Sequence, residues 1–244
     1  MKIGKKILLL TLCTLLVIGA SVLSTMAYFT STDTVTNVFT IGKVHITLDE
    51  ALVNADGLPI DTRGNTVSDL SAAQRVQANE YLLIPGHVYT KDPTVTVSRQ
   101  SEEAYVRMIV TINKQQELDD IFAAVNAGRA AKDLPPIGMT DIFGEYDAGI
   151  WQPVRETENA DNTRSYEFRY AAAASGTVAK SDSATGLPAL FTSIRVPGEI
   201  TQQQLALLYS DDGIDNDLKI EVVAHAIQAD GFDNADDAWD AFDN

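Results

Sequence analysis

Apolar and polar residues alternate along five stretches of this chain, and a period of two is typical of β-strands with one buried face. In the longest stretch, the residues on one side are Val106, Met108, Val110 and Ile112. The other stretches are residues 43–49, 94–98, 165–170 and 220–227. Turn residues such as Pro85-Gly86 and Pro197-Gly198 separate these runs. The pattern predicts a mainly antiparallel β fold.

Helical spacing appears between and after the predicted strands. Apolar residues at helical intervals from Leu118 to Val125 predict one helix, and Thr201 with Gln204 fits a capping box that begins a second. At the C-terminus, Asp233 is the expected N-cap of a short helix. Its apolar face, which we expect to dock on the sheet, comprises Ala235, Ala238, Trp239 and Phe242. We therefore predict a jelly-roll-like antiparallel sandwich with inserted helices and a short C-terminal helix.

The first 27 residues have the composition of an export signal. Lys2, Lys5 and Lys6 precede an uncharged apolar run, and the small residues Thr25 and Ala27 occupy the positions that a signal peptidase requires. We interpret residues 1–27 as a signal peptide and residues 28–244 as a single secreted domain. Two alternatives remain open: an uncleaved membrane anchor, since residues 7–27 are long enough to cross a bilayer, and a lipoprotein modified at Cys13.

The charge of the chain limits its partners. Removing residues 1–27 takes away three lysines and no acidic residue, so the net charge changes from −16 to −19. Such a chain repels phosphates and anionic lipids, so we expect no nucleic acid partner and membrane contact only through an uncleaved signal. Cys13 is the only cysteine, so the processed protein forms no disulfide and a hydrophobic core must hold it together.

We find no catalytic motif in the sequence, and we expect neither an enzyme nor a cofactor. The nucleophile elbow, the phosphate-binding glycine loop and the His-Glu-x-x-His pair are all absent. A weak calcium candidate is the group Asp211, Asp215 and Asp217, which departs from the EF-hand pattern and is also explained as a solvated turn. The many aspartates between positions 230 and 243 are interpreted as the solvated face of the last helix.

A β-prone strip follows the signal directly and covers residues 28–41. Its hydrophobic members are Tyr28, Phe29, Val35, Val38, Phe39 and Ile41. A strand at a free chain end can add to an exposed sheet edge through main-chain hydrogen bonds. The strip can equally fold back into its own sheet, and the sequence leaves both possibilities open.

Several segments resemble the TasA/camelysin group of Gram-positive secreted proteins, which the signal peptidase SipW processes. The similarity lies in residues 27–34 and 37–44, and more weakly in residues 84–86, 91–97 and 104–107 and in the ending 224–232 with Ala238-Trp239. The resemblance implies a jelly-roll protein that forms extracellular or biofilm-matrix fibres by strand addition, with copies of itself or related subunits as partners. It also implies processing by a SipW-type peptidase.

Three functions follow from these observations. The leading expectation is a structural fibre subunit, located in the matrix or on the surface of a Gram-positive bacterium. A monomeric adhesin or glycan-binding module is the alternative, using a sandwich rim rich in tyrosine, Trp151 and acidic residues. A camelysin-type secreted metalloprotease is the third, and the missing His-Glu-x-x-His motif speaks against it.

Overall fold

The main sheet is built around β6 (Ala104–Asn113), the strand whose alternation is longest in the sequence. The computed structural model describes residues 40–41, 44–209 and 217–244, which belong to one compact unit. The sheet has the order β1-β13-β6-β9-β8, and β10 pairs with the beginning of β6. The ranges are β1 (Thr40–Ile41), β8 (Trp151–Glu158), β9 (Thr163–Tyr170), β10 (Thr177–Val178) and β13 (Ile220–Gln228).

Two smaller sheets complete the β structure. One has the order β11-β5-β2-β3, and the other has the order β4-β12-β7. Their strands are β2 (Ile46–Ala51), β3 (Arg75–Val76), β4 (Val88–Thr90), β5 (Thr94–Val97), β7 (Phe143–Gly144), β11 (Thr185–Gly186) and β12 (Ser193–Arg195). Among the described strands, every pair is antiparallel except β1 with β13.

The α-helices of the described residues lie where the sequence predicts helices, whereas a short 3₁₀ helix, Met139–Ile142, was not predicted. The described elements are η1 (Leu70–Ala72), α1 (Gln115–Ala130), η2 (Met139–Ile142), α2 (Gln202–Ala206) and α3 (Ala235–Asp243). Thr201 and Gln204 form the expected capping box of α2. The N-cap of α3 is Asn234 rather than Asp233, because the Asn234 side chain accepts the N–H of Asp237 at 3.0 Å.

One hydrophobic core fills the space between the sheets and α1. It includes the inward side chains of β2, β5, β6 and β9, together with the fully buried Trp151 and Phe191. A second cluster lies on the opposite face of the main sheet, where Ala238 and Trp239 of α3 pack on Tyr105 and Ile227. The predicted mainly-β sandwich, with inserted helices and a short C-terminal helix docked on the sheet, is confirmed.

Sequence reasoning misplaced one residue and missed one long strand. Trp151 is fully buried in the core, so it does not lie on an exposed rim of the sandwich. β8 was not foreseen, because after Trp151 its side chains are exposed on both faces and leave no alternating pattern. The aspartates between positions 230 and 243 are exposed, as expected, and two of them also bind arginines of the sheet: Asp236 binds Arg169 and Asp243 binds Arg107. In the ranges that the structure describes, no helix combines the length and apolar character needed to cross a membrane. The predicted signal peptide lies outside these ranges.

Candidate functional site

The outer edge of β13 is the feature of the main sheet with the clearest capacity to bind another strand. On its inner side, β13 pairs with β6 in unbroken register from Ile220 opposite Ile112 to Gln228 opposite Ala104. On its outer side, the two residues of β1 run parallel to it, with Thr40 opposite Ala226 and Ile41 opposite Ile227. Within the described part of the chain, residues 220–225 have no strand partner on this side.

The direction of the main-chain groups at this edge follows from two hydrogen bonds. The Ala229 N–H donates to the Glu103 carbonyl at 2.8 Å, and the Asn113 N–H donates to the Lys219 carbonyl at 3.3 Å. Antiparallel strands alternate between residues that bond each other and residues that point outward. Odd-numbered residues of β13 therefore bond β6, whereas Ile220, Val222 and Ala224 direct their N–H and C=O groups away from β6.

The side chains of β13 also suit an added strand. Ala224 and Ala226 are buried in the main core, whereas Ile220 and Val222 pack against it and stay half-buried. Another strand at this edge would cover the rest of their apolar surface. From residue 220 to 225 the strand contains one charged residue, Glu221, and no proline or lysine. The edge thus lacks the devices that usually prevent strand pairing.

The opposite edge of the same sheet carries those devices. β8 contains Pro153, and its register with β9 shifts between Pro153 and Arg155, which marks a bulge. The exposed charges that follow are Arg155, Glu156 and Glu158. Proline, bulges and edge charges all disfavour the addition of a strand. The two edges of the sheet therefore differ: the β8 edge carries features that disfavour strand addition, and residues 220–225 of the β13 edge lack them.

A buried ionic cluster fixes the face of the sheet behind the β13 edge. The Nε of Arg107 donates to the His225 Nδ1 at 3.1 Å, and its other nitrogens bind the Asp243 carboxylate. Burial lowers the pKa of His225 from its ordinary value, and the adjacent Arg107 guanidinium lowers it further. The ring of Phe242 lies 4.9 Å from that of His225. The cluster joins β13, β6 and α3 into one rigid support for the edge.

The predicted site residues are only partly described. Ile41 lies on β1 with its backbone paired to Ile227 of the same chain. The other predicted strand-donor residues and both cleavage residues lie outside the described residues: Thr25, Ala27, Tyr28, Phe29, Val35, Val38 and Phe39.

The weak calcium candidate is also only partly described. Asp211 and Asp215 lie outside the described residues. Asp217 is half-buried, and its carbonyl accepts a hydrogen bond from Asn113 Nδ2 at 2.8 Å. Among the described residues, no three His, Cys, Asp or Glu side chains are grouped as metal ligands.

Sequence reasoning identified the strand 220–227 and overlooked its importance. Alternation shows that a segment is a strand, but the order of strands in a sheet depends on contacts between distant segments. The scarcity of charges between Ile220 and Ala226 was the available signal. No protein-family model, curated protein or solved structure matches this chain.

Proposed function

We propose that this protein is an exported structural subunit of an extracellular or biofilm-matrix fibre, assembled by addition of an N-terminal strand to a neighbouring subunit. The observation that carries the proposal is the edge of β13, where β1 pairs over two residues and residues 220–225 have no described partner. The export signal in residues 1–27 and the resemblance to the TasA/camelysin group support the same function.

The sequence leaves open whether residues 28–41 fold back into their own sheet or add to that of a neighbour. Strand exchange between subunits allows both. In a monomer, β1 pairs with β13 of its own chain. In a fibre, the N-terminal segment of a neighbour takes that place and extends along the edge toward Ile220. An exchange of identical segments creates no new pairing at β1, so it is a low-cost route to association. The half-buried Ile220 and Val222 gain cover when the donated strand extends past Ala226.

The geometry of the contact favours a filament over a closed dimer. Each subunit would donate one segment and accept another at a different surface, so the contact is head-to-tail and repeats without closing. The β8 edge, with Pro153 and its exposed charges, disfavours lateral strand pairing between fibres. A net charge of −19 for the processed chain, 15 basic against 34 acidic residues, adds repulsion between neighbouring fibres.

The test compares the processed protein with a variant that lacks residues 28–39. We expect the processed protein to form filaments in electron microscopy, and the shortened variant to remain a folded monomer in light scattering. A synthetic peptide of residues 28–41 should bind the shortened variant, whereas a scrambled peptide of the same composition should not. Filaments of normal length from the shortened variant would contradict strand donation.

A further inference from the structure

A single buried carboxylate holds an amine and a carboxamide side by side. Glu50, at the end of β2, is 4% exposed. Its Oε2 accepts from the Nζ of Lys91 at 2.6 Å, and its Oε1 accepts from the Nδ2 of Asn79 at 2.8 Å. Lys91 follows β4 and is 7% exposed. Three residues far apart in sequence thus place a nucleophile, a carbonyl carbon and a proton acceptor together.

The carboxamide of Asn79 is oriented and polarised for attack. Its Oδ1 accepts the N–H of Val53 at 3.0 Å, and its Nδ2 also donates to the Ala51 carbonyl at 2.9 Å. A main-chain N–H on a carbonyl oxygen stabilises negative charge that develops there during attack. The same contacts prevent the amide from rotating away from Lys91.

The Lys91 amine lies near the ring of Tyr81, and the adjacent Asp92 is engaged by other groups. The ring of Tyr81 lies 5.8 Å from Lys91 Nζ, and burial raises the pKa of Tyr81 above its ordinary value. The neighbouring Asp92 carboxylate is engaged by the Ala51 N–H at 2.6 Å and by Arg75 at 2.5 Å. Transfer of one proton from Lys91 to Glu50 removes two buried charges at once and leaves a neutral, nucleophilic amine.

We propose that Lys91 and Asn79 form an intramolecular amide cross-link, with Glu50 moving the protons. Glu50 takes a proton from the Lys91 ammonium, and Nζ attacks Cγ of Asn79. Glu50 gives its proton to Nδ2 of the tetrahedral intermediate and accepts the second proton from Nζ. The C–Nδ2 bond then breaks and the carbonyl re-forms. One C–N bond forms and one breaks, and Glu50 passes its remaining proton to the released ammonia. Ammonium leaves, and Glu50 is again a carboxylate without any oxidant or cofactor.

The cross-link would close the loop between residues 79 and 91. This loop carries exposed apolar side chains, with Leu82 at 69%, Ile84 at 46% and Val88 at 40% exposure. An irreversible amide bond between the two ends of the loop would hold the loop against β4 when the protein is pulled or heated. The cross-link would constrain the chain covalently, as a disulfide does in other proteins. The processed protein has no cysteine with which to form a disulfide.

Mass spectrometry of the purified wild-type protein tests the proposal directly. We expect an intact mass lower than the sequence mass by one ammonia, and a protease fragment in which Lys91 and Asn79 are joined. The sequence mass, a loss of water that joins Lys91 to Glu50, or a hydroxylamine-sensitive succinimide at Asn79 would each overturn the proposal.

Two variants test whether Glu50 carries the protons during cross-linking. Glu50→Gln keeps the shape of the side chain and should retain the full sequence mass, with circular dichroism used to verify that it folds. The matched control is Lys180→Arg, because Lys180 also binds a carboxylate, that of Glu102 at 2.9 Å, but on the surface. This control should keep the ammonia loss. A folded Glu50→Gln protein with the wild-type cross-link would remove Glu50 from the reaction.

Discussion

The guanidinium of Arg107 binds the carboxylate of Asp243 through two hydrogen bonds, of 2.9 and 2.5 Å, and joins the central strand of the main sheet to the end of α3. Arg107 is 2% exposed, and it lies 4.4 Å from the ring of Trp239 and 5.1 Å from that of Phe242. The buried Glu167 is a further 3.7 Å neighbour. One cation therefore anchors the C-terminal helix by charge and by ring contacts.

Replacing Arg107 with alanine should detach α3 from the sheet. The change removes both hydrogen bonds to Asp243 and leaves a gap beneath Trp239, so we expect a loss of about 3–5 kcal/mol in the free energy of unfolding. Urea unfolding, followed by tryptophan fluorescence, measures the loss. The control is Lys180→Ala at the exposed pair with Glu102, which should cost less than about 1 kcal/mol. Equal losses in the two variants would contradict the anchoring role.

Acid should weaken the same helix in two steps. The folded pKa of His225 lies below its ordinary value of 6.5, so between these values the unfolded chain binds more protons. Stability is therefore complete above about pH 6.5 and falls as the pH drops toward the folded pKa. Hydrogen bonds from Arg107 lower the pKa of Asp243 below 3.8, so its contribution is lost at still lower pH.

Thermal unfolding at several pH values checks the first step. We expect the Tm of the wild-type protein to fall between about pH 7.5 and about pH 5, and His225→Asn to flatten this fall. The groups that face His225 are Arg107, Glu167 and Asp243, and they stay in place in this variant. His45→Asn, at an exposed position, is the control and should keep the wild-type profile. An unchanged profile in His225→Asn would contradict the assignment.

The sequence predicts the elements of this fold better than their arrangement. Periodicity located the strands around Val106 and Val222 and the helix face with Trp239, because burial of one face leaves a local repeat. The partners of that helix could not be predicted, since Arg107 and Asp243 are 136 positions apart. Charged residues carry no periodic signal that shows which ones are buried and paired.

The candidate sites depend even more on tertiary contacts. Asn79 lies outside the alternating stretches of the sequence, so nothing there indicated that it would meet Glu50, 29 positions away. Likewise the open edge of β13 exists because β6 takes its other side, a pairing across more than a hundred residues. Local propensity cannot fix such pairings, whereas the N-terminal strip itself could be recognised from its composition.

Two glycines offer a matched test of close packing beside the loop 79–91. Gly57 has φ +71°, and a Cβ there would lie 2.4 Å from Cδ1 of the buried Tyr89. Gly64 has φ +81° with no atom within 4 Å of such a Cβ. Gly64→Ala should cost about 1–2 kcal/mol from the left-handed backbone alone. Gly57→Ala should cost about 1–3 kcal/mol more, because Tyr89 must move.

Gly57→Ala should also weaken the hydrogen bonds that hold the loop 79–91. The Tyr89 hydroxyl donates to the Leu82 carbonyl at 2.5 Å and accepts the Ile84 N–H at 2.9 Å. Displacement of Tyr89 therefore weakens two hydrogen bonds that hold the loop. Chemical denaturation gives the stability of both variants, and hydrogen exchange shows whether the amides of residues 82–84 exchange faster in Gly57→Ala only. Equal behaviour of the two variants would contradict the contact with Tyr89.

Proline substitutions at the two edges of the main sheet test which edge binds an added strand. Val222 directs its N–H outward from β13, so Val222→Pro removes a donor that a new strand needs without breaking a bond to β6. Glu156 of β8 is the matched control. The Asn159 N–H donates to the Thr163 carbonyl at 2.9 Å, so alternation places the Glu156 N–H outward as well.

We expect Val222→Pro to remain a folded monomer and Glu156→Pro to form filaments at the wild-type rate. Light scattering measures the assembly rate, electron microscopy shows the filaments, and circular dichroism verifies that both variants keep the native sheet. Filaments from a folded Val222→Pro protein would exclude the β13 edge as the acceptor. Loss of filaments in Glu156→Pro alone would instead place the contact on the β8 edge, where Pro153 and the bulge argue against it.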